Sequence, residues 1–379
     1  PLCLVGSEMC IRDRYNYLLT CFMSYYIFLK RFTQMNETPI KLIGNPASPY
    51  TRKMIAYLRY KRIPHHVIWG DVSDVLKPMN IDPPKPILLP VFLLPRDGKL
   101  TAVTDSTPLI EEFENSYPYR SVYPEDQSLR FINYVLEDFG DEWCTKYMFH
   151  YRWHFTEDAD NAGTLLPLGI MNNISDDELA FFKDHFAKRQ IDRLWVVGSN
   201  DETAPFIDHS YKSFLEILEN HLKIQPYLLG SSPSSCDFAV YGQLTQLIGF
   251  DPTPRKITHE LAPRVIGWVR SLEDRSGLEF QENNLTLSDL PQTIHDLFKE
   301  MSTSYVPTMI ANKKAIDEGS DEWEIDLDKG KWKQKSFPYQ AKCLAWIKEE
   351  YEKLDTDKKD EVLSFLQLNH CESLVTSNE

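Results

Sequence analysis

The chain reads as an α+β unit followed by an all-helical unit and a C-terminal extension. Three observations carry that reading. Between Ile40 and Tyr117, short apolar runs alternate with helical spacings in a βαβ…ββα order. From Leu129 onward long amphipathic helical patterns take over, and after Leu290 an alternating hairpin pattern and two further helices follow. Within the first unit, three short patches sit at element junctions: Ser48-Pro49-Tyr50, Leu89-Pro90-Val91 and Asp105-Ser106.

The first strand is Ile40-Lys41-Leu42-Ile43, which runs into a loop at Gly44-Asn45-Pro46. Met54, Ile55, Tyr57 and Leu58 then recur at helical spacing within Tyr50 to Lys61, so Ser48 caps a helix with Pro49 just inside its start. As a plain N-cap, Ser48 satisfies an orphan N–H and contributes about 1 kcal/mol. The same position also suits chemistry, because a helix start offers positive potential and its hydroxyl can donate to a thiolate.

His66 to Trp69 reads as a second strand, followed by an irregular Pro-rich stretch from Pro78 to Pro86. Leu88 to Leu94 is too apolar for a loop, and its proline marks the opening of a strand or an edge. A proline there leaves the Leu89 backbone available to something other than a neighbouring strand. Arg96-Asp97-Gly98-Lys99 is a tight hairpin turn, and Leu100 to Val103 returns as the last strand. Asp105-Ser106-Thr107-Pro108 then opens a helix through Ile110, Phe113 and Glu114. Capping accounts for this patch by itself; alternatively, its amides and the Ser106 hydroxyl receive a carboxylate.

From about Pro39 to Tyr117 the chain resembles the thioredoxin-like amino-terminal domain of the glutathione S-transferases. Ser48-Pro49-Tyr50 looks like the active-site turn of the serine-type and omega-type classes, Leu89-Pro90 matches the family's cis-proline, and Asp105-Ser106 its acid–serine pair. Further on, Pro226 to Gly230 and Pro233 to Tyr241 resemble the family's helical domain at a buried helix start, with Ser234 and Asp237 at capping-box spacing. The resemblance extends to about Phe280. It implies a thioredoxin-like domain over 35–120, an all-helical domain over 121–295, and an extension over 296–379 that lies outside the family pattern. Asp105 stands where Glu is more usual, and Leu89 where Val is.

The resemblance also implies a mechanism. Ser48 donates to the sulfur of glutathione, the Leu89 backbone beside Pro90 pairs with the cysteinyl amide, and Asp105 and Ser106 hold the γ-glutamyl end. Tyr50 and Lys85 are further glutathione-binding candidates. A free thiol has a pKa of about 8.5, so lowering it raises the reactive fraction at neutral pH. Glutaredoxins and omega-type transferases carry Cys where this chain has Ser48, so disulfide exchange through the protein lacks its nucleophile. Addition to, or substitution at, a small hydrophobic electrophile is expected instead; isomerase and dehalogenase chemistry use the same thiolate. The competing class is a non-catalytic scaffold or protein-interaction module, since a fold does not fix a function.

The helical part begins near Tyr123-Pro124. Leu129 to His154 is one long amphipathic pattern dense in aromatics, most of them core. In the family this helix faces the cleft, so Tyr147, Tyr151 and Arg152 are candidates for the second-substrate pocket. His150 and His154 have the i, i+4 spacing of a metal pair but no third ligand in the pattern, and no metal is expected. Ser175 to Glu178 is a capping box before Leu179 to Leu194, and Tyr211 to Leu222 is a further helix. Trp323 to Trp332 alternates around Lys-Gly as a hairpin; Tyr339 to Leu354 and Lys358 to Leu366 read as helices with enough apolar residues to pack.

Leu2 to Asp13 looks like the in-frame translation of a sequencing adapter, and residues 1–34 are read as a non-native leader, with a natural start at Met35. Tyr15 to Leu29 is apolar but too short for a secure membrane span. The chain carries −15 overall; residues 1–34 contribute +2, so Met35 onward carries −17. Such acidity disfavours nucleic acid and anionic membranes as partners. Cys144, Cys236, Cys343 and Cys371 form no C-x-x-C pair, which fits a reducing cytoplasm. A homodimer is expected from the resemblance.

Overall fold

A computed structural model of the chain describes residues 38–281 and 285–376. The expected leader, 1–34, lies outside them. The first unit forms β1 (Ile40–Gly44), α1 (Pro49–Lys61), β2 (His65–Trp69), α2 (Val72–Leu76), β3 (Val91–Arg96), β4 (Lys99–Val103) and α3 (Ser106–Ser116). Its sheet has the order β2-β1-β3-β4, with β1 parallel to β2 and antiparallel to β3.

Strand alternation sorts the side chains. Leu42, Phe92 and Leu94 face α1, α3 and the helical part, whereas Ile43, Val91 and Leu93 face Val72 and Leu76 of α2. The β3–β4 turn places Asp97 at φ 50° and Gly98 at φ 76°, the double left-handed turn that an Asp-Gly pair supports.

The helical part comprises α4 (Gln127–Asp138), a π turn (Phe139–Trp143), α5 (Cys144–His154), α6 (Thr156–Leu168), α7 (Asp176–Ile191), α8 (Ala204–His221), α9 (Ser235–Gly249), α10 (Pro252–Leu261), α11 (Pro263–Leu272), α12 (Gln292–Thr303) and α13 (Tyr305–Asp317). Helix α9 runs through the middle; even Asp237 is fully buried, its carboxylate accepting from the Leu228 and Ser234 amides. Both expected capping boxes form, at Ser175/Glu178 and Ser234/Asp237. The single amphipathic helix expected over Leu129 to His154 is instead broken by the π turn. Gly140 approaches α9 there so closely that a Cβ would stand 2.9 Å from that of Ala239.

The extension folds as the hairpin β5 (Glu322–Leu327) and β6 (Gly330–Lys335), then α14 (Pro338–Glu352) and α15 (Thr356–Leu368). It is continuous with the main core. Trp332 is fully buried with its ring 5.3 Å from that of Trp143, and Ile347, Val362 and Leu366 are buried in the same core. The boundary expected at 295/296 falls inside α12.

Candidate functional site

The turn that bears Ser48 is fixed from several sides. Asn45 Oδ1 accepts from the Ala47 amide, and Arg152 donates to the Ala47 carbonyl at 2.9 Å. Two glycines let the backbones close up: a Cβ on Gly44 would stand 2.4 Å from Thr51, and one on Gly242 of α9 would stand 2.6 Å from the Pro49 carbonyl. Ser48 caps α1 as expected, its Oγ accepting from the Thr51 amide at 3.2 Å. That bond uses a lone pair, so the hydroxyl proton is still available to a ligand.

Leu89-Pro90 is cis, and Leu89 stands just before the β3 ladder, which starts at Val91 opposite Ile43. Asp105 takes φ 88° at the start of α3 and makes no capping bond; its Oδ2 accepts instead from the Tyr339 hydroxyl at 3.3 Å. Ser106 Oγ accepts from Lys53 Nζ at 3.2 Å. Tyr50 donates to the Asp141 carbonyl at 2.8 Å, and burial, with Glu142 and Asp141 nearby, holds its phenol well above the usual range.

These groups meet at one cavity of about 610 Å³ between the sheet, the α4–α5 segment and α14. Ser48, Tyr50, Leu89, Asp105 and Ser106 line it. Pro90 is buried behind Leu89, and Lys85 is exposed and outside the lining.

The second-substrate candidates need correction. Tyr147 is fully buried against Ser210 and Trp143, and Tyr151 donates to Asp208 at 2.7 Å, both away from the cavity. Arg152 is drawn behind the Ser48 turn by Asp251, Gln246 and the Ala47 carbonyl. Thr145 and Phe149, about half a turn from Tyr147 and Tyr151, line the cavity instead. His150 stacks on His154 with ring centres 4.6 Å apart and its Nδ1 is hydrogen-bonded to the Ser199 hydroxyl at 2.8 Å; burial, then His154, pushes its pKa down to about 3. Among the described residues no group of three or more His, Cys, Asp or Glu is arranged to hold a metal ion.

Sequence reasoning missed two parts of the wall. One is an ionic cluster at the π turn: Lys53 Nζ bridges Glu137 Oε1 at 2.8 Å and Asp141 Oδ2 at 2.6 Å. Burial opposes the Lys53 charge, yet Asp141 and Glu137 raise its pKa above the usual value. Burial raises the neighbouring carboxyls too, to about 7 at Asp138, about 6 at Asp141 and about 8 at Glu142. A buried Glu137/Asp141 pair at i, i+4 within an aromatic helix was the available signal.

The other part is α14, whose Tyr339, Cys343 and Trp346 reach the cavity at i, i+4, i+7 spacing. Burial, then Glu142 and Asp138, pushes the Cys343 thiol far up, so it stays protonated.

A thioredoxin-like sheet followed by a mostly helical part is the architecture of the glutathione transferase fold. Residues 42–121 match the sequence profile of a family described as Glutathione S-transferase, N-terminal domain. Among solved structures the chain is similar to the beta-etherase LigF from Sphingobium, at 21% identity and TM-score 0.43, covering 63% of this chain and 96% of that one. It is also similar to a glutathione S-transferase from Methylobacterium radiotolerans in complex with glutathione sulfonate, at 18% identity and TM-score 0.37, covering 67% and 100%. A third is FzlA from C. crescentus, at 16% identity and TM-score 0.38, covering 63% and 89%. No curated protein matches the chain. Similarity to the glutathione S-transferases at the level of sequence thus rests on the first domain. Among the described residues no helix is long and apolar enough to cross a membrane.

Proposed function

We propose that the chain binds glutathione in this cavity and activates its thiol for transfer to a small hydrophobic electrophile. The observation that supports this reading is the meeting of Ser48, Leu89, Asp105 and Ser106 on one cavity wall, since each supplies a different contact for a thiol peptide. The γ-glutamyl carboxylate lies at the start of α3 against the Ser106 hydroxyl, with the Lys53 charge just behind. Asp105 takes the ammonium, and the Leu89 backbone takes the cysteinyl amide.

The sulfur then faces the start of α1, where the Ser48 hydroxyl and the helix dipole favour thiolate over thiol. The thiolate forms a C–S bond to the electrophilic carbon. In a substitution the leaving group departs with its electron pair; in an addition the neighbouring atom takes a proton from solvent. The protein acts as a serine-type transferase, not a disulfide oxidoreductase, and its cavity thiol, Cys343, is held protonated. The same reading carries a cytoplasmic homodimer.

Turnover of Ser48→Ala with a panel of small electrophiles tests the mechanism. A hydrogen bond to a charged sulfur is worth about 1.5–3 kcal/mol, so kcat falls roughly 10- to 100-fold while glutathione affinity changes little. Unchanged turnover removes Ser48 from the mechanism.

A further inference from the structure

The turn that carries Ser48 is held from behind by the helical part, through side chains that do not line the cavity. Three successive carbonyls of the turn are engaged. Asn45 accepts from the Ser48 amide at 3.0 Å, and Pro46 from Arg52 Nε at 3.0 Å and Gln246 Nε2 at 3.4 Å. Ala47 accepts from Arg152 Nη1 at 2.9 Å. Arg52 is partly exposed, whereas Arg152 and Gln246 are buried. The guanidinium of Arg152 is itself fixed: Nε donates to both oxygens of Asp251, at 3.0 and 3.1 Å, and Nη2 donates to Gln246 Oε1 at 2.9 Å. Its flat face lies 4.5 Å over the ring centre of Phe250. Arg152 thus holds Ala47 directly and Pro46 through Gln246.

A guanidinium is a planar fork whose donors point in fixed directions. With Nε anchored on a fully buried Asp251, the Nη1 donor at Ala47 has one position. A buried ion pair adds little stability over apolar packing of the same volume, so stability alone does not account for this one. Its bond to the Ala47 carbonyl sets the plane of the Ala47–Ser48 peptide. That plane in turn sets the direction of the Ser48 hydroxyl and of the first amides of α1. We propose that Arg152 is a positioning residue: through the Ala47 carbonyl it aims the Ser48 hydroxyl at the sulfur of glutathione. The helical part then sets how strongly the thiolate is favoured, although the groups that meet the peptide come from the first unit. This inference rests on the preceding reading, which supplies glutathione and the role of Ser48.

The test is the pKa of the bound glutathione thiol, read from ultraviolet thiolate absorbance across pH, in the full chain and in the double variant Arg152→Met/Asp251→Val. Exchanging both partners leaves no unpaired buried charge, so the fold is spared while the donor to Ala47 is lost. The thiol pKa rises by at least about half a unit, roughly a threefold smaller thiolate fraction near neutral pH, while glutathione affinity changes less than about twofold. Adding Ser48→Ala to the double variant raises the pKa no further than Ser48→Ala does alone, because Arg152 acts through that hydroxyl. Arg152→Lys keeps a cation beside Asp251 but offers one nitrogen to three acceptors. It raises the pKa in the same direction and decides the matter if the double variant fails to fold. An unchanged thiol pKa in a folded variant overturns the proposal and leaves Arg152 a packing residue. Additive effects of the Arg152 and Ser48 substitutions overturn it too. If the unaltered chain binds no glutathione, the transferase reading falls and this inference with it, an outcome seen before any variant is made.

Discussion

The two opposed walls of the cavity are built in different ways. The sheet-side wall consists of helix starts and a strand opening: Ser48, Leu89, Asp105 and Ser106 present hydroxyls, amides and one carboxylate on backbone held by turns. The α14 wall presents side chains from successive turns of one helix, Tyr339, Cys343 and Trp346, held by tertiary packing. The first suits the fixed features of a peptide, the second the shape and charge of a variable partner. They touch where Tyr339 donates to Asp105 across 234 positions of sequence.

The comparison breaks most decisively by removing the second wall. Truncation before Pro338 strips Leu344, Ile347, Val362, Phe365 and Leu366 from the core. At about 1.5–3 kcal/mol for each such side chain, the loss rivals the whole stability of a typical domain, about 5–15 kcal/mol. The truncated chain therefore shows no cooperative thermal transition by circular dichroism. A transition unchanged from the full chain would make the extension an appendage.

A smaller effect is read by pH at the π turn, between the two walls. Glu142 is raised from 4.5 to about 8 by burial, then by Asp138 and Asp141, so the folded chain holds its proton more tightly than the unfolded chain. Its favourable contribution is complete below about 4.5 and is lost as pH rises toward 8. Glu142→Gln abolishes that titration, so the melting temperature of the unaltered chain falls relative to the variant between pH 5 and 8. Parallel melting curves would show that Glu142 does not titrate in this range.

The smallest effect is at the contact itself. Tyr339→Phe frees the Asp105 carboxylate from a hydroxyl donor 3.3 Å away, a bond worth about 1 kcal/mol, and glutathione binds roughly two- to tenfold more tightly. Weaker binding in that variant would mean that Tyr339 contacts the peptide directly.

The same contrast explains what the residues disclosed in advance. Caps and turns are local, so Ser48 before Pro49, Asp97-Gly98, Ser175 with Glu178 and Ser234 with Asp237 all predict the geometry found. The 322–335 hairpin was legible from its alternation. Facing was not: aromatics occupy every side of α5, so periodicity could not tell Thr145 and Phe149 from Tyr147 and Tyr151. Nor was the π turn, which follows from the close packing of Gly140 on α9, about 100 residues away. The Lys53–Glu137–Asp141 cluster and the docking of α14 likewise depend on contacts distant in sequence, and α12 and α13 were not anticipated at all.

The central claim is that glutathione occupies the sheet-side wall, and calorimetric titration of glutathione into the full chain and into Ser106→Ala tests it most directly. Saturable binding that the variant weakens by about 1 kcal/mol or more, the worth of one hydroxyl bond to a carboxylate, is the predicted result. A folded, unaltered chain that takes up no glutathione would contradict the account and put a non-catalytic scaffold in its place.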